Sequence, residues 1–543
     1  MVFARRSTTL LAAIIASCAM VLSLTACTSD NKTVVDGQTT VTSNSAGGVA
    51  GFTPSDGITL NQQMPLNKWA KLVPDLTKAL VDAGFKKGDI NHTTSDSLDK
   101  QSRAIQDFVV DHLSNNTTDD SGIAIAPDNM TLLVAPVVEA DASTRQYGDY
   151  VSQNLSTNDV TDEGATSDGE SSEDDSSKDD SSNTESDSTA SDEQAQAVDR
   201  LVSSLKLAKE SGMHVVLLGN SIEGYKPDAF VKFSDAQTIG KLQAEKMVSK
   251  LKLDKASKDN PKYIEVLLPY TAMDEKGNAN DSTFAQEAFR GIWQVLGSYY
   301  QKGVVESPSG TLDGKSTEND WQAVAYDAAK EGSTAKVLDK RLAKTDGQST
   351  LTRIDGIITM NDYIASEVVK ELDDLGYTGS AADINPQITI SGIVGNITGK
   401  KDLSRDAVPD PIKSPENDNA NDSSSSDDDA DKDTSASDKD RDSQWPLVTG
   451  YGAYVSNIPS IVNGKQWMTG MEDRQTIATD IAQACAKLNK DEALNSMPSI
   501  RNSEVGGVKK IPTISEPLLA VSASNLKSAL IDPGYISLAD AGL

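Results

Sequence analysis

Two doubly wound parallel-sheet lobes of the α/β class are the fold this 543-residue chain predicts, and three features predict it. Strand-like and helix-like stretches alternate along most of the chain. The strand-like runs are continuously apolar instead of alternating, as in Thr131-Leu132-Leu133-Val134-Ala135. Such a run has no polar face to offer water, so helices must cover both sides, which is the condition of a parallel sheet. Finally, roughly 400 residues carry the pattern, and a single core stops growing beyond about 250–300 residues. Two lobes joined by a hinge are therefore expected.

The elements follow in chain order. Residues 1–26 read as an export signal: Arg5 and Arg6 precede a short apolar stretch from Leu10 to Leu24, and Leu24-Thr25-Ala26-Cys27 follows. The stretch is short for a membrane span and polar sequence starts directly after it. A small residue before Cys27 suits a lipoprotein peptidase, so Cys27 is the expected lipidation site and the mature chain is expected on the outer face of a cell membrane. Residues 27–55 read as a flexible stalk, because Thr28 to Gly51 is rich in Ser, Thr, Gly and Asn. An N-terminal lobe is expected from 56–230 plus 472–505, and a C-terminal lobe from 231–471 plus 506–543.

Within these lobes a helix at Arg103–Leu113 leads to the strand at Thr131, and a helix at Val198–Ser211 to the strand His214–Leu218. A helix over Thr238–Leu251 precedes a strand over Tyr263–Leu268, and a helix over Phe284–Tyr300 follows. Ile354–Thr359 is the next strand, with Ile364, Val368, Val369 and Leu372 marking the helix after it. Each lobe carries an acidic insertion, 156–196 and 411–444, expected to be disordered because Ser/Asp sequence cannot bury enough apolar area to offset its ordering entropy.

Charge excludes some functions. The net charge is −31, and Asp159–Glu193 and Glu416–Asp442 alone account for −13 and −8 of it. No basic surface for nucleic acid is evident. Asp429, Asp431, Asp433 and Asp440 loosely echo a calcium loop, but Thr434 stands where Gly is needed. The three histidines have no metal-ligand spacing, so no metal or cofactor is expected. Cys485 has no partner in the mature chain and falls on an apolar helix face, as a small buried hydrophobe does. Gly219-Asn220-Ser221-Ile222-Glu223 lacks the second Gly of a nucleophile elbow, and Ser309 to Ser316 lacks the first Gly of a phosphate loop. No enzyme is expected.

In open α/β sheets ligands bind beyond the carboxyl ends of the strands. Those ends read Lys68-Trp69, Gly219-Asn220-Ser221, Asn361-Asp362 and Gly450-Tyr451-Gly452. Amides and carboxylates bond hydroxyl pairs, and an indole covers the apolar side of a sugar ring, so a neutral polyol suits them. Trp69 either stacks on a ligand or packs between helix and strand. Asn361 either donates to a hydroxyl or caps the helix starting at Asp362. Trp321 either forms a second aromatic wall or opens a helix over Gln322–Ala329.

These stretches resemble the sugar-binding subunits of bacterial ABC importers, the periplasmic-binding-protein type I group, in its xylose-binding and multiple-sugar-binding branch. The resemblance runs from about Gly57 to Leu543. It rests on Leu66-Asn67-Lys68-Trp69, Phe233-Ser234-Asp235-Ala236-Gln237-Thr238-Ile239-Gly240, Ile357-Ile358-Thr359-Met360-Asn361-Asp362, and the tail from Ile511-Pro512 to Gly534-Tyr535. It implies a solute, expected to be a sugar, bound between the lobes and handed to ABC permease subunits. It also implies ligand contacts at Lys68, Trp69, Asn220, Ser234, Asp235, Asn280, Arg290, Trp321, Asn361 and Glu472, and hinge crossovers near Ser234, Thr469 and Gly506. The chain departs from the pattern where Gly219-Asn220 replaces Asp-Arg, Ser234-Asp235 replaces Asp-Asn, Gly452 replaces a ligand carboxylate and Glu472 replaces a Lys. Each lost charge-assisted hydrogen bond weakens binding by about 1.5–3 kcal/mol. A non-transport surface or sensor protein with the same fold and an altered pocket is the second expectation.

Overall fold

A computed structural model of the chain describes residues 46–55, 65–115, 129–138, 144–150, 153–156, 185–273, 280–343, 351–382 and 445–543. The export signal, Cys27, the calcium-like aspartates, the whole 411–444 insertion and residues 157–184 of the other lie outside them.

Two sheets organise the body. The first runs β15 (Ile500–Val505), β16 (Val508–Ile514), β7 (Ala229–Val231), β5 (His214–Leu218), β3 (Met130–Val134), β1 (Gly48–Pro54) and β2 (Ile90–Ser95). Every neighbouring pair is parallel except the β15–β16 hairpin. The second runs β10 (Val305–Glu306), β8 (Lys262–Val266), β12 (Gly356–Ile358), β13 (Leu447–Tyr451), β14 (Met468–Met471) and β17 (Leu519–Ser522), with only β17 antiparallel. Short parallel pairs, β4 (Asn154–Leu155) with β6 (Ser221–Ile222) and β9 (Leu268–Pro269) with β11 (Ala325–Tyr326), lie just past the ends of β5 and β8.

Helices cover both faces of each sheet, as the apolar strands require. On the first sheet, α1 (Trp69–Asp82) and α10 (Arg474–Leu488) share one core layer with Val216 and Leu218, and Cys485 is buried in it. Burial in that layer pushes the Cys485 thiol up. On the opposite face α2 (Leu98–Asn115) and α3 (Glu185–Glu210) pack over Leu132, Val215 and Leu217. On the second sheet α4 (Ala236–Leu251) and α5 (Thr283–Gln301) share a core with Ile264, Val266 and Ile358. There Gly240 and Gly291 let the helices touch: a Cβ on either would run into the other helix's backbone. The far face carries α7 (Ser333–Arg341) and α8 (Asp362–Asp374). Two short helices, α6 (Trp321–Val324) and α9 (Ile458–Val462), complete the set among the described residues.

The two-lobed α/β architecture is as expected, but several boundaries differ. The stretch read as stalk to residue 55 contains β1, a strand of the first sheet; its Gly48, Ala50 and Gly51 give little apolar signal yet let the strand sit close to Met130. Helix α3 begins at Glu185, inside the stretch read as a disordered insertion to 196, as an extension of the helix that packs from Ala197 onward. The 505/506 boundary falls inside the β15–β16 hairpin, whose second strand pairs with β7, so the first lobe extends to Ile514. Gly506 is therefore a hairpin turn and no crossover. The chain passes between the sheets at 232–235, 472–473 and 515–518, between elements of opposite lobes. Trp321 opens a helix of four residues, ending at Val324.

Candidate functional site

The carboxyl ends of β3 and β5 in one lobe, and of β12 and β13 in the other, deliver residues to one junction. Pro65 and Leu66 enter it just before α1, and Leu66 N–H donates to Gly452 O across the lobes at 2.8 Å. Two residues that end the second lobe's strands, Met360 and Ala453, hold left-handed backbone at φ +67 and +50. Non-glycine residues adopt that conformation only where the surroundings over-determine it, which happens preferentially at functional sites.

The junction is filled by the chain itself. After β3 the chain leaves the first sheet and returns as Gln146-Tyr147-Gly148-Asp149-Tyr150 between the lobes. Asp149 receives Lys68 Nζ at 2.6 Å and the Trp69 N–H at 3.1 Å, and its own N–H donates to Asn67 O at 2.8 Å. Tyr150 OH donates to Lys68 O at 2.5 Å. Gly148, at φ +100, lies where a Cβ would meet Asn67 O at 2.5 Å. On the other lobe Asn361 Nδ2 donates to Gln146 Oε1 at 3.1 Å, and Tyr454 OH donates to Gln146 O at 2.7 Å. The Tyr147 ring packs into the second lobe's core, its centroid 4.7 Å from that of Phe284 and 6.2 Å from that of Tyr451.

The expected ligand residues divide accordingly. Trp69, 3% exposed, packs edge-on against Tyr150 and Phe233, with ring centroids 5.1 and 5.7 Å away. Asn361 combines both of its expected roles in an altered form: Oδ1 caps α8 at Ile364 N, and Nδ2 holds Gln146. Ser234 and Glu472 meet where two crossovers pass. Ser234 N–H donates to Glu472 Oε1 at 2.6 Å, its hydroxyl also contacts Glu472, and Tyr451 OH lies 2.6 Å from Ser234 Oγ. Asn220, also buried, ties the first lobe's loops by donating to Pro136 O and accepting from Gln153 N–H, both at 2.9 Å.

The remaining four are engaged locally. Asp235 caps α4 at Thr238 N, 2.7 Å away, and pairs with Lys232. Asn280 Nδ2 donates to Thr271 O at 2.8 Å, and Arg290 pairs with Glu287 one turn away on α5. Trp321 lies edge-on to Tyr270 at 5.1 Å.

Residues absent from the expected set complete the junction. Asp362 is fully buried and accepts from Tyr454 N–H at 2.9 Å, Thr469 Oγ1 at 2.8 Å and Gln466 Nε2 at 2.7 Å. Burial nevertheless raises its pKa to about 6. Burial likewise raises Glu472 to about 7, against the hydrogen bonds from Ser234. The Asn361-Asp362 pair ends a strand, a signal that marks Asp362 as readily as Asn361. Gln146 and Tyr147 sit in polar sequence without periodicity, and nothing marks them.

Among the described residues no cluster of three metal-ligating side chains occurs, and no helix is long and apolar enough to cross a membrane.

No family model and no curated protein matches the chain. It is similar to three solved structures, among others. One is an ABC transporter solute-binding protein from Clostridium phytofermentans with bound β-D-glucose: 16% identity, covering 91% of this chain and 99% of that one, TM-score 0.44. Another is a carbohydrate transporter solute-binding protein from Chloroflexus aurantiacus in complex with D-glucose: 18% identity, 91% and 98% covered, TM-score 0.43. The third is a periplasmic ribose ABC transporter protein from Conexibacter woesei: 12% identity, 90% and 96% covered, TM-score 0.42. By its own topology, two parallel-dominated sheets linked by three crossovers, the chain has the two-lobed α/β fold expected of the periplasmic-binding-protein type I group.

Proposed function

We propose that this chain is an extracytoplasmic solute-binding lipoprotein, anchored through Cys27, that takes a carbohydrate between its lobes and presents it to an ABC permease. One observation carries the reading. The strand ends of two parallel-dominated sheets converge on one buried junction that holds an indole, two amides, two carboxylates and left-handed backbone at Met360 and Ala453. Polar groups gathered at the strand ends of open α/β sheets are how this architecture grips small polar ligands. The solute-binding names of the similar structures agree with it.

The test is a thermal-shift panel of pentoses, hexoses and oligosaccharides on the full chain. A bound sugar at a hundredfold excess over its Kd adds about 2.7 kcal/mol of stability. A chain whose melting is unmoved by every sugar would remove carbohydrate from the proposal.

A second reading, a surface or sensor protein of the same fold with a lost pocket, is favoured by a specific observation. Gly452 brings no carboxylate, and Gln146 and Tyr147 stand against the very groups that would hold a sugar. Co-purification with permease subunits would count against this reading.

A further inference from the structure

We propose that Gln146–Tyr150 is an intramolecular pseudo-ligand: it locks the two lobes together and keeps solute out of the junction until it withdraws. The locking stands on the geometry alone, whereas the exclusion of a sugar rests on the carbohydrate reading above. The five-residue segment reaches both lobes. Asp149 and Tyr150 hold the start of α1 through Asn67, Lys68 and Trp69, while Gln146 and Tyr147 hold Asn361, Tyr454 and the second core. Gln146 offers Asn361 a carbonyl oxygen, and the apolar Tyr147 ring lies tilted against Tyr451 and Phe284. A small ligand with hydroxyl acceptors and an apolar ring face would present the same chemistry.

The fit is imperfect in a way that suits a displaceable occupant. Asn67 Nδ2 is buried in the junction without a hydrogen-bond partner among the described residues. The second Asn361 N–H lies beside the Tyr147 hydroxyl, while the first holds Gln146 and Oδ1 caps Ile364. A buried polar atom left unpaired weakens the arrangement that leaves it so. An occupant that satisfied it would gain what this segment forgoes.

The experiment is hydrogen–deuterium exchange on the full chain. It compares the native sequence with a Gln146→Ala/Tyr147→Ala double variant and with Tyr454→Phe, which removes one hydroxyl and leaves the core volume intact. The amides of Leu66 and Trp69 report opening, because their acceptors are Gly452 O and Asp149 Oδ2. Leu133 and Ile357, in the two sheets, report unfolding. The expected result is faster exchange at Leu66 and Trp69, at least tenfold in the double variant and about fivefold in Tyr454→Phe, with both sheet amides unchanged. No acceleration, or equal acceleration in the sheets, overturns the lock. D-glucose is then titrated against each protein. Tighter binding by the variants supports exclusion, and equal binding by native chain and variants overturns it. Variants that open yet bind neither D-glucose nor any sugar of the panel leave the lock standing and sink the carbohydrate reading.

Discussion

Glu472 is a wholly buried carboxyl at the point where the chain crosses between lobes. Around it are packed the Ser234 N–H and hydroxyl and the Tyr451 hydroxyl, with the Asp235 carboxylate adding repulsion, while the Glu472 backbone N–H donates to Asn67 Oδ1. Its pKa is about 7, raised from 4.5 chiefly by burial. A carboxyl whose folded pKa lies above its unfolded one binds protons more tightly when folded. It therefore contributes stability that is full below pH 4.5 and lost as the pH rises through about 7. Asp362, at about 6, acts in the same direction. His92 and His112, whose pKa values burial lowers, act in the opposite direction below their ordinary value. Comparing the native chain with Glu472→Gln isolates the first effect. The native melting temperature should fall relative to the variant's between pH 5 and pH 8, by the equivalent of on the order of 3 kcal/mol. Parallel pH profiles would show that Glu472 is not the titrating group. The sequence marked Glu472 only as a departure from a family pattern; its burial comes from two crossovers meeting, which no local pattern encodes.

Helix starts were among the most legible elements, and they also show where legibility ends. Asp235 and Asn361 each precede a run with helical periodicity, and each accepts from a backbone N–H three residues on. What Asn361 does with its other amide atom depends on a segment 215 residues away and is invisible locally. The two caps therefore differ in a testable way. Asp235→Ala removes a cap and a partly exposed ion pair, a loss of about 1 kcal/mol. Asn361→Ala removes a cap and also leaves half-buried Gln146 Oε1 without its donor, which adds about 1 kcal/mol. Melting curves should place Asn361→Ala below Asp235→Ala; equal melting temperatures would mean the Gln146 contact contributes nothing. The missed elements share one cause: their burial is a tertiary event. β1 is small-residue sequence joined to a polar stretch, and β16 carries exposed Lys509 and Lys510 ahead of buried Ile511 and Ile514. The Gln146–Tyr150 segment has no repeating pattern at all, so its place between the lobes follows from side-chain fit and not from periodicity.

At the scale of the whole molecule, the paired sheets were legible because fully buried strands leave a continuous apolar signature in the sequence. The crossovers were legible where they join a strand to a capped helix, near Ser234, and misread at Gly506, where a positive-φ glycine turned out to make a hairpin. Charge governs how such a body sits at a membrane. With a net charge of −31, of which −21 lies in the two acidic tracts, the chain is repelled by an anionic lipid surface and gains nothing from electrostatic adhesion. Attachment through acyl chains, each methylene contributing about 0.8 kcal/mol, would by contrast be insensitive to salt. If Cys27 carries the lipid, the native chain should incorporate labelled palmitate and stay with the membrane fraction through a wash in concentrated sodium chloride. Cys27→Ser should lose the label and appear in the soluble or secreted fraction. Release of the native chain by salt alone would mean that a protein partner, and no lipid, holds it there.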